Sequence, residues 1–404
     1  MTRVSLHPET IVAAAGVATD AAHRGVSPPL HLSATYGWKD PEEKPAYDYS
    51  RSGNPTRSEL AQALADLEGA AVGVVTASGM AAVDLPLNLV SPGELIIAPH
   101  DCYGGTFRLL GAGARRGHYR VEFVNQTDEA SVAAALAKGP KLVLIETPSN
   151  PLLRITDIAA VAAASKAAGA IVVADNTFLS PALQNPLSLG CDIVLHSTTK
   201  YINGHSDVVG GAVLAKDKAL GDELAWWANC TGVTGAPFDS FLTLRGLRTL
   251  FPRIERQQET AFAVATALAA DERVASVNYP GLASHPGHDI ARRQQKGFGA
   301  MLSVEFAEGV DVIALLRALN IFTIAESLGG YESLACTPAT MTHAAMTPEA
   351  RAAAGISDRL VRFSIGLEHG QDLIRDIFSA LDSVVAPSAA KVAYLRKQSE
   401  AHAC

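Results

Sequence analysis

Between residues 71 and 216 the sequence repeats one pattern: a short apolar run rich in Val, Ile and Leu, then an Ala-rich stretch of helical length. The runs are AVGVVTASGM, ELIIAPH, RVEFVN, KLVLIETPSN, AIVVADNTF, DIVLHS and GGAVLAK, with EASVAAALAKG and DIAAVAAASKAAG among the intervening segments. A strand with one wet face alternates apolar and polar residues, whereas a strand apolar throughout must be covered on both faces. Helices alternating with such strands therefore predict an α/β fold, a mostly parallel sheet layered between helices.

The pattern does not fill the chain, which at 404 residues is too long for one simple core. Residues 1–48 are Pro-rich and irregular after a first short helix, and read as an arm. Residues 49–245 carry the repeat. From 246 to 404 the long helical segment RGLRTLFPRIERQQETAFAVATALAA and the strand set VASVNY, AMLSVEF, IFTIAES and LVRFSIGLE predict a smaller α+β domain. The tail PSAAKVAYLRKQSEAHAC reads as a surface helix or a frayed end.

Composition removes several function classes. A charged share of 18% and a hydrophobic share of 48% describe an ordinary globular protein. The net charge of −8 is spread without a block of like charges, which argues against nucleic acid or an anionic membrane as a partner. No apolar run reaches the roughly 18 residues of a membrane span. The N-terminal Ala-rich patch is too short for a signal peptide, so a cytoplasmic location is expected. The five cysteines, Cys102, Cys191, Cys230, Cys336 and Cys404, stand apart with no metal-ligand spacing, and read as reduced thiols with no metal site. Cys102, in HDCYGG, has a second reading as a reactive thiol near a site. GAGARRG at 111–117 is similar to a dinucleotide-binding loop, but Arg116 stands where the third Gly is needed, inside a helical stretch. That leaves a nucleotide-binding oxidoreductase resting on the α/β pattern alone.

In open α/β sheets ligands bind at the carboxyl ends of the strands, so the residues standing there carry the chemistry. After VGVVTA comes Ser78-Gly79-Met80, a small-residue turn opening a helix, either a plain turn or an anion site made by backbone N–H groups. After IVVA comes Asp175-Asn176-Thr177, where a buried carboxylate caps the next turn or meets a cation. After DIVL comes HSTTKYINGHSD, in which Lys200 follows the hydroxyls of Ser197 and Thr199; alone, a snorkelling lysine would suffice. Together, a phosphate cradle, a buried carboxylate and a lysine at neighbouring strand ends match the needs of pyridoxal 5′-phosphate (PLP). The lysine would form a Schiff base, aided by a low-dielectric setting, and the carboxylate would keep the pyridine nitrogen protonated. Tyr103, following another strand, could stack on the ring.

SGNPTR, SGMAA, ETPSNPLLRITDI, ADNTFLSPALQNPLSLG, HSTTKYINGHSDVVGG, AESLGGYESL, PATMTHA and GISDRLVRFSIGLE resemble the transsulfuration PLP enzymes, the Cys/Met-metabolism group of the aspartate aminotransferase-like fold (fold type I), over residues 7–384. APHDCYGG and ELAWWANCTGVTGAPFDSFLTLRGLRTL look most like the bacterial γ-synthases of that group. The resemblance implies that Lys200 holds PLP as a Schiff base and then shuttles protons, with Tyr103 as the second catalytic residue, stacked on the ring. It implies Asp175 on the pyridinium beside Thr177, and Ser78, Gly79, Met80, Ser197 and Thr199 at the phosphate. Tyr49 and Arg51 would reach the phosphate of the neighbouring subunit's cofactor, in a homotetramer built as a dimer of dimers with shared active sites. Arg362 would clamp the substrate α-carboxylate, helped by Asn150 and Ser327, while Arg108 would meet the succinyl carboxylate of the donor, with Asp48 and Asn229 lining the pocket. Glu326 would face the amino group of cysteine or cystathionine, where β-lyases tend to carry an aromatic residue. Ser52 stands where the family often has a second basic residue, which leaves succinyl and acetyl donors both open. The implied reaction is γ-replacement, forming L-cystathionine and succinate from O-succinyl-L-homoserine and L-cysteine. The sibling reactions, cystathionine γ-elimination and acylhomoserine sulfhydrylation, would use nearly the same residues.

Overall fold

The computed structural model describes residues 6–344, 346 and 348–384. Each of the seven apolar runs is a strand: β1 (Val72–Thr76), β2 (Leu95–Pro99), β3 (Arg120–Val124), β4 (Leu142–Glu146), β5 (Ile171–Asp175), β6 (Ile193–His196) and β7 (Gly211–Ala215). They form one sheet in the order β1-β7-β6-β5-β4-β2-β3. All its pairings are parallel except those of β7, which runs antiparallel to both β1 and β6. The helices of this region are α1 (Pro8–Ala14), α2 (Pro55–Glu68), α3 (Gly79–Asp84), α4 (Gly104–Arg115), α5 (Glu129–Leu136), α6 (Ile158–Ala167), α7 (Ser180–Leu183), α8 (Lys218–Thr231) and α9 (Pro237–Leu247).

The apolar character of the strands has the expected cause. Along β4, Val143 and Ile145 face one core with α2, α5 and α6, while Leu142 and Leu144 face a second core with α3, α4 and α8. A sheet covered on both faces leaves only its strand ends for polar chemistry. Local signals set the helices that frame those ends. Asn54 caps α2 by accepting from the Arg57 N–H, Pro55 follows it, and Gly69 ends the helix at φ 72°.

Beyond α9 the chain continues through α10 (Leu250–Ala269), β8 (Val274–Asn278), α11 (His288–Gln294), β9 (Met301–Phe306), α12 (Val312–Ala318), β10 (Thr323–Ile324), β11 (Leu334–Cys336), α13 (Pro348–Ala354), β12 (Leu360–Ser364) and α14 (Gly370–Val384). The second sheet has the order β10-β11-β12-β9-β8. IFTIAES supplies only the two-residue edge strand β10; its Ala325, Glu326 and Ser327 leave the sheet. β11 has no counterpart in the sequence reading, because a three-residue run beside GGYES is too short to show a period. The tail PSAAKVAYLRKQSEAHAC lies outside the described residues.

Candidate active site

Parallel register brings three strand ends together. Glu146 and Asp175 are direct partners across β4 and β5, and β6 ends beside them at His196, from which the chain turns through Ser197 and Thr199 to Lys200. A cavity of about 360 Å³ opens over these ends. Thirteen sequence-derived candidates line it: Ser78, Gly79, Met80, Tyr103, Asn150, Asp175, Thr177, Ser197, Thr199, Lys200, Glu326, Ser327 and Arg362. A larger cavity, about 860 Å³, lies among α5, α6 and α11 and holds none of them.

The two sheets contribute different walls. From β12, the buried Arg362 donates from Nη1 to Asn150 Oδ1 (2.9 Å) and from Nη2 to the Ser327 carbonyl (2.9 Å). Lys200 Nζ donates to Ser327 Oγ at 2.8 Å. Ser327 sits at φ 91°, a conformation costly for a residue with a Cβ, and it is held there by both contacts. Burial, and secondarily the Arg362 charge, lower the Lys200 pKa from 10.5 to about 8, opposed by Glu326.

At the opposite end two carboxyls stand side by side. Glu146 accepts the N–H of Tyr103 (2.9 Å) and that of Asn150 (3.1 Å). Asp175 accepts the Thr177 N–H at 3.0 Å. Burial raises the Glu146 pKa well above the usual range, and the adjacent Asp175 charge adds to it. Burial raises Asp175 too, while its hydrogen bonds from Thr177 oppose the shift. No salt bridge reaches either carboxyl among the described residues. Glu146 was missed in the sequence, although the signal was the one used for Asp175: an acid closing a buried apolar strand, here LVLIE.

Thr342 and His343, within PATMTHA, were also missed. His343 is buried, with Nε2 3.0 Å from the Asn150 carbonyl and Nδ1 2.9 Å from Thr342 Oγ1. Burial, then Arg362, lower its pKa to about 4, so it is neutral at ordinary pH.

The remaining five candidates are not brought to the cavity by one chain. Asp48, Tyr49, Arg51 and Asn229 cluster elsewhere: Arg51 Nε donates to Asn229 Oδ1 (3.0 Å), and its guanidinium lies 5.5 Å from the Tyr49 ring centroid. Asp48 accepts from the Tyr49 N–H (2.7 Å) and Ser52 Oγ (2.8 Å). Arg108 is exposed on α4. Cys102 is buried, and burial with nearby Glu146 and Asp101 raises its thiol pKa, which favours the inert reading.

The cavity suits PLP. An acidic pair without a matched cation at one end fits a protonated ring nitrogen. At the other wall, a Cβ on Gly79 would lie 2.6 Å from the Ser197 Cβ, so only glycine lets the α3 turn approach the Ser197 hydroxyl that closely. Thr199 Oγ1 exchanges hydrogen bonds with Gly210 and so holds the segment leading to Lys200. Among the described residues no group of three His, Cys, Asp or Glu is arranged to hold a metal ion. Nor is any described helix long and apolar enough to cross a membrane.

Known proteins bear out the fit to PLP. The chain is 56% identical to cystathionine gamma-synthase of Escherichia coli, covering 91% of this chain and 96% of that protein. It is 43% identical to a cystathionine beta-lyase of Lactococcus lactis, covering 93% and 98%. The crystal structure of cystathionine gamma synthase from Xanthomonas oryzae superposes with a TM-score of 0.92 at 56% identity, covering 93% of this chain and 98% of that one. With residues 9–382 matching the family model described as Cys/Met metabolism PLP-dependent enzyme, the chain belongs to that family of fold type I enzymes and depends on PLP.

Proposed function

We propose that the protein is a γ-replacement enzyme that forms L-cystathionine from an O-acyl-L-homoserine, with O-succinyl-L-homoserine as donor, and L-cysteine. The observation that carries this is the degree of likeness. Identity reaches 56% to two γ-synthases, above the 45% to the γ-synthase of Mycobacterium tuberculosis, the 43% to the Lactococcus β-lyase and the 40% to a cystathionine gamma-lyase from Lactobacillus plantarum. Glu326, an acid on the cavity wall, agrees with it.

Residues divide the work as follows. PLP, bound through Lys200, would supply an electron sink for negative charge developing at the substrate Cα. Asp175, on the ring nitrogen, would hold that charge sink in its protonated form, with Thr177 fixing the carboxylate. Ser78, Gly79, Met80, Ser197 and Thr199 would receive the phosphate, and Tyr103 would cover the ring face. Arg362 would clamp the α-carboxylate through its fork, a geometry that an ammonium cannot reproduce. Asn150 and Ser327 already orient that fork. The buried Lys200 amine, whose proton affinity burial lowers, would take a proton from Cα and return one when product forms. Glu326 would hold the ammonium of incoming cysteine. In the balanced reaction the donor's Cγ–O bond and the cysteine S–H bond break, a Cγ–S bond forms, and the acyl group leaves as its carboxylate with the thiol proton released.

Tyr49, Arg51, Asp48, Asn229 and Arg108 belong to this reading only if a second chain brings them to the cavity. Supporting that are large apolar side chains left exposed on the arm and beyond it, Val26, Leu32, Trp38 and Phe238 among them. We therefore include a homotetramer of paired dimers, and a cytoplasmic location in keeping with cysteines that form no disulfide among the described residues.

A matrix of initial rates over O-succinyl- and O-acetylhomoserine, each with cysteine or sulfide, and cystathionine alone, tests the assignment. Fastest cystathionine synthesis from the succinyl donor with cysteine supports it; faster cystathionine cleavage replaces it with a lyase.

A further inference from the structure

The cavity walls come from different sheets, yet Lys200 and Ser327 meet within 2.8 Å. Something must fix the Lys200 loop against the Ser327 loop, and the first two turns of α10 touch both. Arg253 and Gln257 lie four residues apart, hence on one helix face. Both are buried, Gln257 completely.

Arg253 points its fork into the segment that follows Lys200. Nη1 donates to the Tyr201 carbonyl (2.9 Å), and Nη2 donates to Gly246 (2.9 Å) and, more weakly, to Ile202 (3.4 Å). Nε donates to Thr249 Oγ1 at 3.2 Å. No carboxylate pairs with it among the described residues; its acceptors are carbonyls and one hydroxyl. Burial lowers its pKa to about 10, so it stays charged at neutral pH. The contact is tight enough to dictate the sequence. Gly204 is at φ +69°, and a Cβ there would lie 2.0 Å from Arg253 Nη1. Gly204 in turn donates its N–H to the Lys200 carbonyl at 2.8 Å.

Gln257 holds the other loop. Its Nε2 donates to the Gly330 carbonyl at 2.6 Å. The two loops also interlock: Tyr331 N–H reaches the Gly204 carbonyl (3.1 Å), and a Cβ on Gly329 would lie 2.8 Å from the Tyr201 nitrogen. Gly329 donates to Ser364 Oγ on β12, two residues from Arg362. The rest of α10 packs against α14, β8 and β9, so the helix is anchored in the second sheet's layer.

We propose that Arg253 and Gln257 form a positioning clamp on α10 that sets the Lys200 amine against Ser327 and Arg362. The proposal deepens the assignment of Lys200 as the cofactor lysine and rests on it. A displacement near 1 Å at a reacting group can cost on the order of a hundredfold in rate.

The test uses Gln257→Met, which keeps side-chain length and removes the donor, and Arg253→Lys, which keeps charge and removes the fork. Each PLP-loaded variant is measured for its melting temperature, the pH midpoint of its visible Schiff-base absorbance, and kcat and KM separately. The clamp predicts that each variant shifts the absorbance midpoint by half a pH unit or more. It also predicts a kcat roughly ten- to hundredfold lower, with a smaller change in PLP affinity. Should Arg253→Lys fail to fold, Gln257→Met decides alone. A midpoint within half a pH unit and a kcat within twofold of the parent, whatever the melting temperature, overturn the proposal and leave at most a structural brace. If the parent protein itself gains no visible absorbance with PLP, the assignment of Lys200 fails, and the clamp fails with it.

Discussion

The acidic end of the cavity and its arginine wall are built on opposite plans. Asp175, Glu146 and the turn to Lys200 stand on adjacent strands of one sheet, and their spacing follows from register. Arg362, Ser327 and Glu326 come from the second sheet and the loop leaving β10, and reach the same cavity only through contacts between layers. The first plan fixes its groups through hydrogen-bonded strand register, whereas the second depends on long-range contacts such as those of Arg362 with Asn150 and Ser327.

Substitution at each end separates the two plans. Lys200→Ala should have the largest effect, lowering turnover by more than about a thousandfold. It should also abolish the visible absorbance that borohydride bleaches; a yellow, active Lys200→Ala protein would sink the cofactor assignment. Asp175→Asn should come next, losing roughly a hundredfold in kcat while weakening PLP retention, because the ring nitrogen loses its counter-charge. Arg362→Lys should lower kcat/KM by about ten- to a hundredfold through KM as much as kcat, since the lost hydrogen bonds are charge-assisted. Its absorbance spectrum should match the parent's. If Arg362→Lys also releases PLP, the two ends are not separable as described.

The same division decided what could be read from the sequence. The acidic end was legible because unbroken apolar runs mark buried strands and the polar residues that close or follow each are candidates; Asp175 and Lys200 were singled out that way. Glu146 passed the same criterion and was overlooked, although KLVLIETPSN was read as an apolar run and again within the resemblance. The arginine wall was accessible only through that resemblance. Nothing in the pattern of LVRFSIGLE says that Arg362 reaches Asn150 some 200 residues earlier, and Ser327's backbone conformation is set by two distant contacts. Arg253 and Gln257 are harder still. Each looks like a polar residue on an amphipathic helix, and only the carbonyls they meet distinguish them.

A change in stability rather than rate tests the link between the walls. In the cofactor-free protein the Lys200 amine loses its proton near pH 8 when folded, against 10.5 when unfolded, because burial and then Arg362 disfavour the charge. Between those values the unfolded chain binds the extra proton, so stability rises with pH. Below pH 8 both states are protonated and folding carries the full cost of the buried ammonium, about 3 kcal/mol. Urea unfolding of cofactor-free wild type and Lys200→Met from pH 7 to pH 11 isolates this group from others that titrate there. The stability difference between the two proteins should shrink or change sign by up to that amount across the window, with the wild type gaining as pH rises. A difference independent of pH would mean that water or a rearranged Glu326 solvates the amine, and that the arginine wall does not press on the lysine as closely as the contact with Ser327 implies.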